Sequence, residues 1–130
     1  MAAQKTVLVV EDSEINRATL SGILSSEYRV LEAGDGREAL GLLELYGERI
    51  ALILLDIVMP VMDGYEATKA IRRLAGEGRP DAADIPIIAV TANAFAEDVE
   101  AAKQAGMNSH LAKPLDIPHM MREIQKYLHA

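Results

Sequence analysis

The chain contains no cysteine and no tryptophan among its 130 residues. The lack of cysteine removes disulfides, thiolate metal sites and thiol nucleophiles from consideration. Aromatics are scarce, with four Tyr and one Phe, so any core must be aliphatic. Positive charge is in deficit: 13 Lys and Arg face 20 Asp and Glu, giving a formal net charge of −7. Phosphate-backbone binding needs clustered Lys and Arg, so direct nucleic-acid binding is not expected. No stretch approaches the roughly 20 apolar residues of a membrane-spanning helix. The amino terminus, Met1 to Thr6, runs straight into an apolar segment without the apolar core and cleavage site of a signal peptide. A soluble, cytoplasmic domain without membrane association is the expectation. Hydrophobic residues make up 50% of the chain, enough to build one core at this length.

The apolar residues that are present change period along the chain. Short runs rich in Val, Ile and Leu predict strands at Thr6–Val10, Arg29–Glu32, Ala51–Leu55, Ile85–Val90 and Ser109–Ala112. Helical spacing predicts helices near Ser13–Leu24, Gly36–Tyr46, Tyr65–Leu74, Ala96–Gln104 and Ile117–Leu128. The runs VLVV, ALILL and IPIIAV are apolar without alternation, as in parallel strands covered on both faces. Successive βα units with right-handed crossovers predict an α/β fold. The expectation is a flavodoxin-like (βα)5 doubly wound parallel sheet of order 2-1-3-4-5, one domain over residues 1–130. A surface loop is expected at Ala75 to Asp84, where Gly, Pro and Asp cluster.

In such a sheet, ligands bind beyond the carboxyl ends of the strands, where the strand order reverses. The first strand ends in Glu11-Asp12 and the third in Asp56. Three carboxylates meeting there repel one another unless a cation joins them. An all-oxygen set without His or Cys suits Mg²⁺. The fourth strand ends at Thr91, a hydroxyl donor, and the fifth at Lys113-Pro114, a fixed positive charge. One acid, one Thr or one Lys at a strand end is ordinary surface. Together, a nucleophilic carboxylate, a metal site, a hydroxyl and an ammonium suit phosphoryl transfer, which depends on positioning and charge stabilisation.

Four motifs in order, VLVVEDS (Val7–Ser13), LLDIVMPVMDG (Leu54–Gly64), VTANA (Val90–Ala94) and LAKP (Leu111–Pro114), make the chain resemble the receiver domain of two-component response regulators over essentially its whole length. The finer wording is similar to receivers of hybrid sensor kinases. The resemblance implies Asp56 as phosphoacceptor, and Asp12, Asp56 and the backbone carbonyl of Val58 as direct metal ligands. It implies Glu11 as an acid acting on the metal mainly through water, Thr91 as the switch hydroxyl and Lys113 as the phosphoryl's counter-charge. Pro60 and Gly64 shape the loop after the acceptor. Val58 and Asn93, two residues beyond Asp56 and Thr91, are expected to flank the phosphoryl group and set its hydrolysis rate. His110 stands where the family usually has Tyr or Phe at the switch position; a buried, hydrogen-bonded His is the plainer reading there, a proton sensor the other. The implied partners are a histidine kinase or a histidine-phosphotransfer protein, with partner binding or dimerisation switched by phosphorylation. The domain catalyses its own phosphorylation and slow dephosphorylation on this reading, and is a switch rather than an enzyme.

On a helical wheel at ~100° per residue, Asn16, Leu20, Ile23 and Leu24 fall on one face of the first helix, read here as the core face. Ile15, Ala18 and Gly22 then form an outer stripe on which a partner helix can approach closely. Rival readings fare worse. Glu11-Asp12 would repel the phosphate of a flavodoxin-type cofactor. A haloacid-dehalogenase-like phosphatase would need a second Asp at the position of Val58. The intact set Asp12, Asp56, Thr91 and Lys113 argues against an interaction module without the chemistry.

Overall fold

The computed structural model describes residues 5–56, 64–74, 84–91, 96–113 and 115–128. Its strands are β1 (Thr6–Val10), β2 (Arg29–Ala33), β3 (Ile50–Asp56), β4 (Ile87–Thr91) and β5 (Ser109–Ala112). Its α-helices are α1 (Glu14–Leu24), α2 (Gly36–Tyr46), α3 (Gly64–Arg73), α4 (Ala96–Ala105) and α5 (Ile117–Leu128), with a 3₁₀ turn at Gly47–Arg49 that the sequence reading did not include. All pairings are parallel, and the order β2-β1-β3-β4-β5 is the expected doubly wound arrangement.

Alternate residues of the central strands feed two cores, one on each face of the sheet. Val7 and Val9, Leu52 and Leu54, and Ile88 and Val90 pack with Leu20 and Leu24 of α1 and Met120, Ile124 and Leu128 of α5. Leu8, Val10, Ile53, Leu55, Ile87 and Ala89 pack instead with residues of α2, α3 and α4, including Leu43 and Ile71. This double coverage is why β1, β3 and β4 read as unbroken apolar runs.

The helix starts follow capping chemistry. Ser13 is the N-cap of α1, its side chain accepting the Asn16 N–H, and Asp35 caps α2 by accepting the Glu38 N–H at 2.9 Å. Several boundaries differ from expectation by a residue or two, and two of these have a clear cause or consequence. Strand β4 begins at Ile87 rather than Ile85, because Pro86 has no N–H for a ladder; its carbonyl still accepts from Ile53 N at 2.9 Å. Strand β3 reaches Asp56 itself, so the acceptor candidate is held by the ladder and paired in register with Val90. Asn16 is exposed and not in the core, because its amide is drawn to the Glu11 carboxylate at 3.3 Å. Val58, Pro60, Asn93, Pro114 and most of the 75–84 loop lie outside the described residues.

Candidate functional site

Strands β1 and β3 are neighbours, so their carboxyl ends deliver Glu11, Asp12 and Asp56 to one place. A carboxylate oxygen from each lies within 4.8 Å of the others. Glu11 and Asp56 are both only 4% exposed, while Asp12 is exposed. Two acids buried side by side penalise ionisation. Burial first, then a hydrogen bond and charge repulsion from Asp56, raise the Glu11 pKa to about 7, against smaller opposing effects of Asn16 and Lys113. The cluster is short of positive charge, and the donor set is oxygen throughout, which fits Mg²⁺ rather than a softer ion.

The only positive side chain among the described residues within salt-bridge distance of Asp56 is Lys113, its Nζ lying 3.3 Å from Oδ2. Lys113 follows β5 directly, and its N–H donates to the Thr91 carbonyl at 2.8 Å. The ends of β4 and β5 are therefore tied together where Lys113 reaches across. Thr91 is buried at the end of β4, next to the Val90–Asp56 register. Arg17, which sequence reasoning missed, donates to the Glu11 carbonyl at 2.8 Å and to Glu32 at 3.3 Å. It fixes the β1–α1 turn that presents the acids. Its spacing of six residues from Glu11 matches no standard capping pattern, so nothing local announced it.

His110 is half-buried, not buried, against the reading of a buried, hydrogen-bonded side chain. It sits on edge strand β5, which no further strand covers, and faces cavities shared with Lys103 and Met107 on one side and Asp116 and His119 on the other. Ile15 is 79% exposed, Ala18 is exposed, and Gly22 opens onto free space, so the outer stripe of α1 is present as read. Among the described residues no helix is long and apolar enough to cross a membrane.

A parallel five-stranded sheet of this order, with acids at the β1 and β3 ends and Lys after β5, defines a phosphoacceptor-switch class of protein. The family profile described as "Response regulator receiver domain" matches residues 7–125, and the chain belongs to that family. It is a receiver domain of a two-component phosphorelay. Among relatives, a probable histidine kinase 4 from Oryza sativa subsp. japonica is 31% identical over 95% of this chain, which spans 14% of that kinase. The receiver domain of sensor histidine kinase PA1611 from Pseudomonas aeruginosa, solved with a magnesium ion in its active-site cleft, superposes with a TM-score of 0.83 at 38% identity, over 99% of this chain and 100% of that one. The receiver domain in the Saccharomyces cerevisiae Ypd1–Ssk1 co-crystal structure, in which Ypd1 is a histidine phosphotransfer protein, gives 0.84 at 30% identity, over 98% of this chain and 91% of that one.

Proposed function

We propose that Asp56 accepts a phosphoryl group from the phospho-histidine of a kinase or phosphotransfer protein, within one receiver domain made of the whole chain. The observation that carries this is the burial of Asp56 beside Glu11 and Asp12 with Lys113 as counter-charge. An Asp56 oxygen forms the new P–O bond as the P–N bond to the donor imidazole breaks, and the electron pair leaves with the imidazole nitrogen. Glu11, Asp12, Asp56 and the Val58 carbonyl would hold Mg²⁺, which, when bound, offsets negative charge on the incoming phosphoryl group. Lys113 neutralises part of that charge directly. After transfer, Thr91 and Lys113 hydrogen-bond phosphoryl oxygens that the bare carboxylate does not offer. The added bonds bias the β4 and β5 ends toward a second arrangement, which exposes or hides an interaction surface. His110, half-buried on β5, takes the aromatic switch position. Val58 and Asn93 control access of the hydrolytic water. The same groups support self-catalysed phosphorylation from small donors and slow hydrolysis, in a cytoplasmic setting.

Intact-mass measurement after incubation with a small phosphodonor and Mg²⁺ tests the core of this reading. One phosphoryl addition is expected for the wild type, none for Asp56→Asn, and none with chelator. Label that persists in the variant would refute Asp56 as acceptor. Thr91→Ala should still take the label but lose phosphorylation-dependent partner binding or dimerisation.

The donor's docking site is assigned to Ile15, Ala18 and Gly22, because an exposed branched side chain beside two small residues lets a helix approach within reach of the acids. The Ypd1–Ssk1 complex is a precedent for the class of partner. Ile15→Asp should leave folding and small-donor labelling intact and slow transfer from a phospho-histidine protein at least about tenfold, the equivalent of one buried apolar contact or more. Equal transfer rates would move the docking surface elsewhere.

A further inference from the structure

The first and last helices do not close over the sheet at its carboxyl edge. Between them lies a cavity of about 300 Å³. Its walls are apolar: Leu20 and Ile23 from α1, Leu54 and Val90 from the sheet, and Leu115 and Ile117 from the start of α5. Thr19 also lines it and is exposed, and Ile117 is 36% exposed. Its polar end is formed by Glu11, Asn16, Asp56 and Lys113.

The charges at that end are unequal in number and in burial. Glu11 and Asp56 are each 4% exposed, and the one cation facing them among the described residues, Lys113, has a side chain 37% exposed. A third negative charge brought there would meet two desolvated carboxylates. A positive charge would meet two acceptors and release part of their mutual repulsion. The apolar walls meanwhile favour a hydrocarbon body, and the volume is at the lower end of small-molecule sites. A compact amphiphile with a cationic head matches both ends.

We propose that this cavity binds small primary alkyl- or arylammonium compounds, with the ammonium on Glu11 and Asp56 and the tail between α1 and α5. Because those carboxylates are also the ones proposed to hold the divalent cation, the two ligands exclude each other. An amine in the cavity therefore opposes phosphorylation without touching the docking stripe of α1.

The test is a titration followed by ¹H–¹⁵N correlation spectra at neutral pH, on full-length protein in chelator-treated buffer. The probes are methylammonium, butylammonium, hexylammonium and hexanoate. Saturable shifts are expected at Thr19, Ile23, Leu115 and Ile117 with hexylammonium. Affinity should rise about tenfold from butylammonium to hexylammonium, the scale of two buried methylenes. Hexanoate should bind at least about tenfold more weakly than hexylammonium, the loss of a charge-assisted contact. Saturating Mg²⁺ should displace the amine. Thr19→Phe, which adds a ring at an exposed lining position, should abolish binding while small-donor labelling of Asp56 continues. Hexanoate binding as tightly as hexylammonium, affinity independent of chain length, amine binding indifferent to Mg²⁺, or unaltered binding in Thr19→Phe would each overturn the proposal. Failure here with normal labelling of Asp56 would leave the acceptor assignment standing, so the two readings fail separately.

Discussion

The two ends of the same sheet treat polar groups in opposite ways. At the amino-terminal edge, the half-buried Arg72 guanidinium donates to the Gly106 carbonyl at 3.1 and 2.7 Å, to the Ile85 carbonyl at 2.8 Å and to the Asn108 side-chain oxygen at 2.9 Å. That oxygen also accepts the Ile87 N–H at 2.9 Å, and the Asn108 carbonyl accepts the Tyr127 hydroxyl at 3.0 Å. One residue from α3 and one from the α4–β5 turn thus join β4, β5 and α5. At the carboxyl edge, Glu11 and Asp56 are buried together, and among the described residues the ammonium in salt-bridge distance is that of Lys113, 3.3 Å from Asp56. Matching polar groups on burial stabilises a fold, and burying like charges destabilises it. The first edge is built to hold the sheet, and the second keeps an electrostatic deficit that a cation and a phosphoryl group can use.

The sharpest way to break this comparison is to remove Arg72. Arg72→Ala takes the guanidinium donor from the Gly106 and Ile85 carbonyls and leaves the Asn108 side-chain oxygen with the Ile87 N–H, and should cost about 4 kcal/mol in urea denaturation, the sum of several charged hydrogen bonds less what water restores. Asp56→Asn should have the opposite sign, a gain of about 1 kcal/mol in metal-free protein, since it relieves repulsion at the loss of a partly exposed ion pair. If Arg72→Ala costs less than about 1 kcal/mol, the amino-terminal edge is not the anchor described.

A pH titration probes the other edge. Glu11 has its pKa raised to about 7 by burial and by Asp56, above its ordinary value near 4.5. A carboxyl with a raised pKa binds its proton more tightly folded than unfolded. Its contribution is therefore fully present below about pH 4.5 and is lost as pH rises through about 7. Metal-free stability should fall by about 3 kcal/mol across that window from this residue. Glu11→Gln should flatten the profile, and Mg²⁺, which binds the deprotonated acids, should stabilise most at the alkaline side. A flat wild-type profile in chelator would show that the carboxylates are not in deficit.

The carboxyl edge was legible in the sequence and the amino-terminal edge was not. Glu11, Asp12, Asp56, Thr91 and Lys113 each follow a run with strand character, so a parallel topology alone brings them to one edge. The network around Arg72 and Asn108 spans 36 residues of sequence and uses backbone carbonyls, which carry no signature in residue type. Asn108 reads locally as a turn residue. Asn16 was placed in the core by helical period alone, and the pull of Glu11 on its amide overrode the period. The cavity between α1 and α5 was not foreseeable either, because periodicity says which face is apolar but not how closely two such faces meet.

A smaller effect than the removal of Arg72 concerns the glycine under its guanidinium. Gly106 follows α4 with φ +106°. Its N–H donates to the Lys103 carbonyl and that of Met107 to the Ala102 carbonyl, both at 3.0 Å, which closes the helix in a Schellman motif. Met107 is then carried into the core beside Ala102. A Cβ at Gly106 would lie 3.1 Å from Arg72 Cγ and 3.2 Å from Nε. Were that side chain a free stem, it would swing aside at little cost, but its guanidinium is fixed by the carbonyls around it. Gly106→Ala should thus lose about 2 kcal/mol, roughly 1 from the left-handed backbone and the rest from crowding. Gly41→Ala supplies the control: it lies inside α2 with no atom within 4 Å of the added Cβ, and should gain up to about 1 kcal/mol. Urea midpoints moving in opposite directions for the two substitutions are expected, with small-donor labelling of Asp56 unchanged in both. A Gly106→Ala midpoint equal to wild type would mean that Arg72 can yield, and the contrast between the two edges would be one of charge alone and not of rigidity.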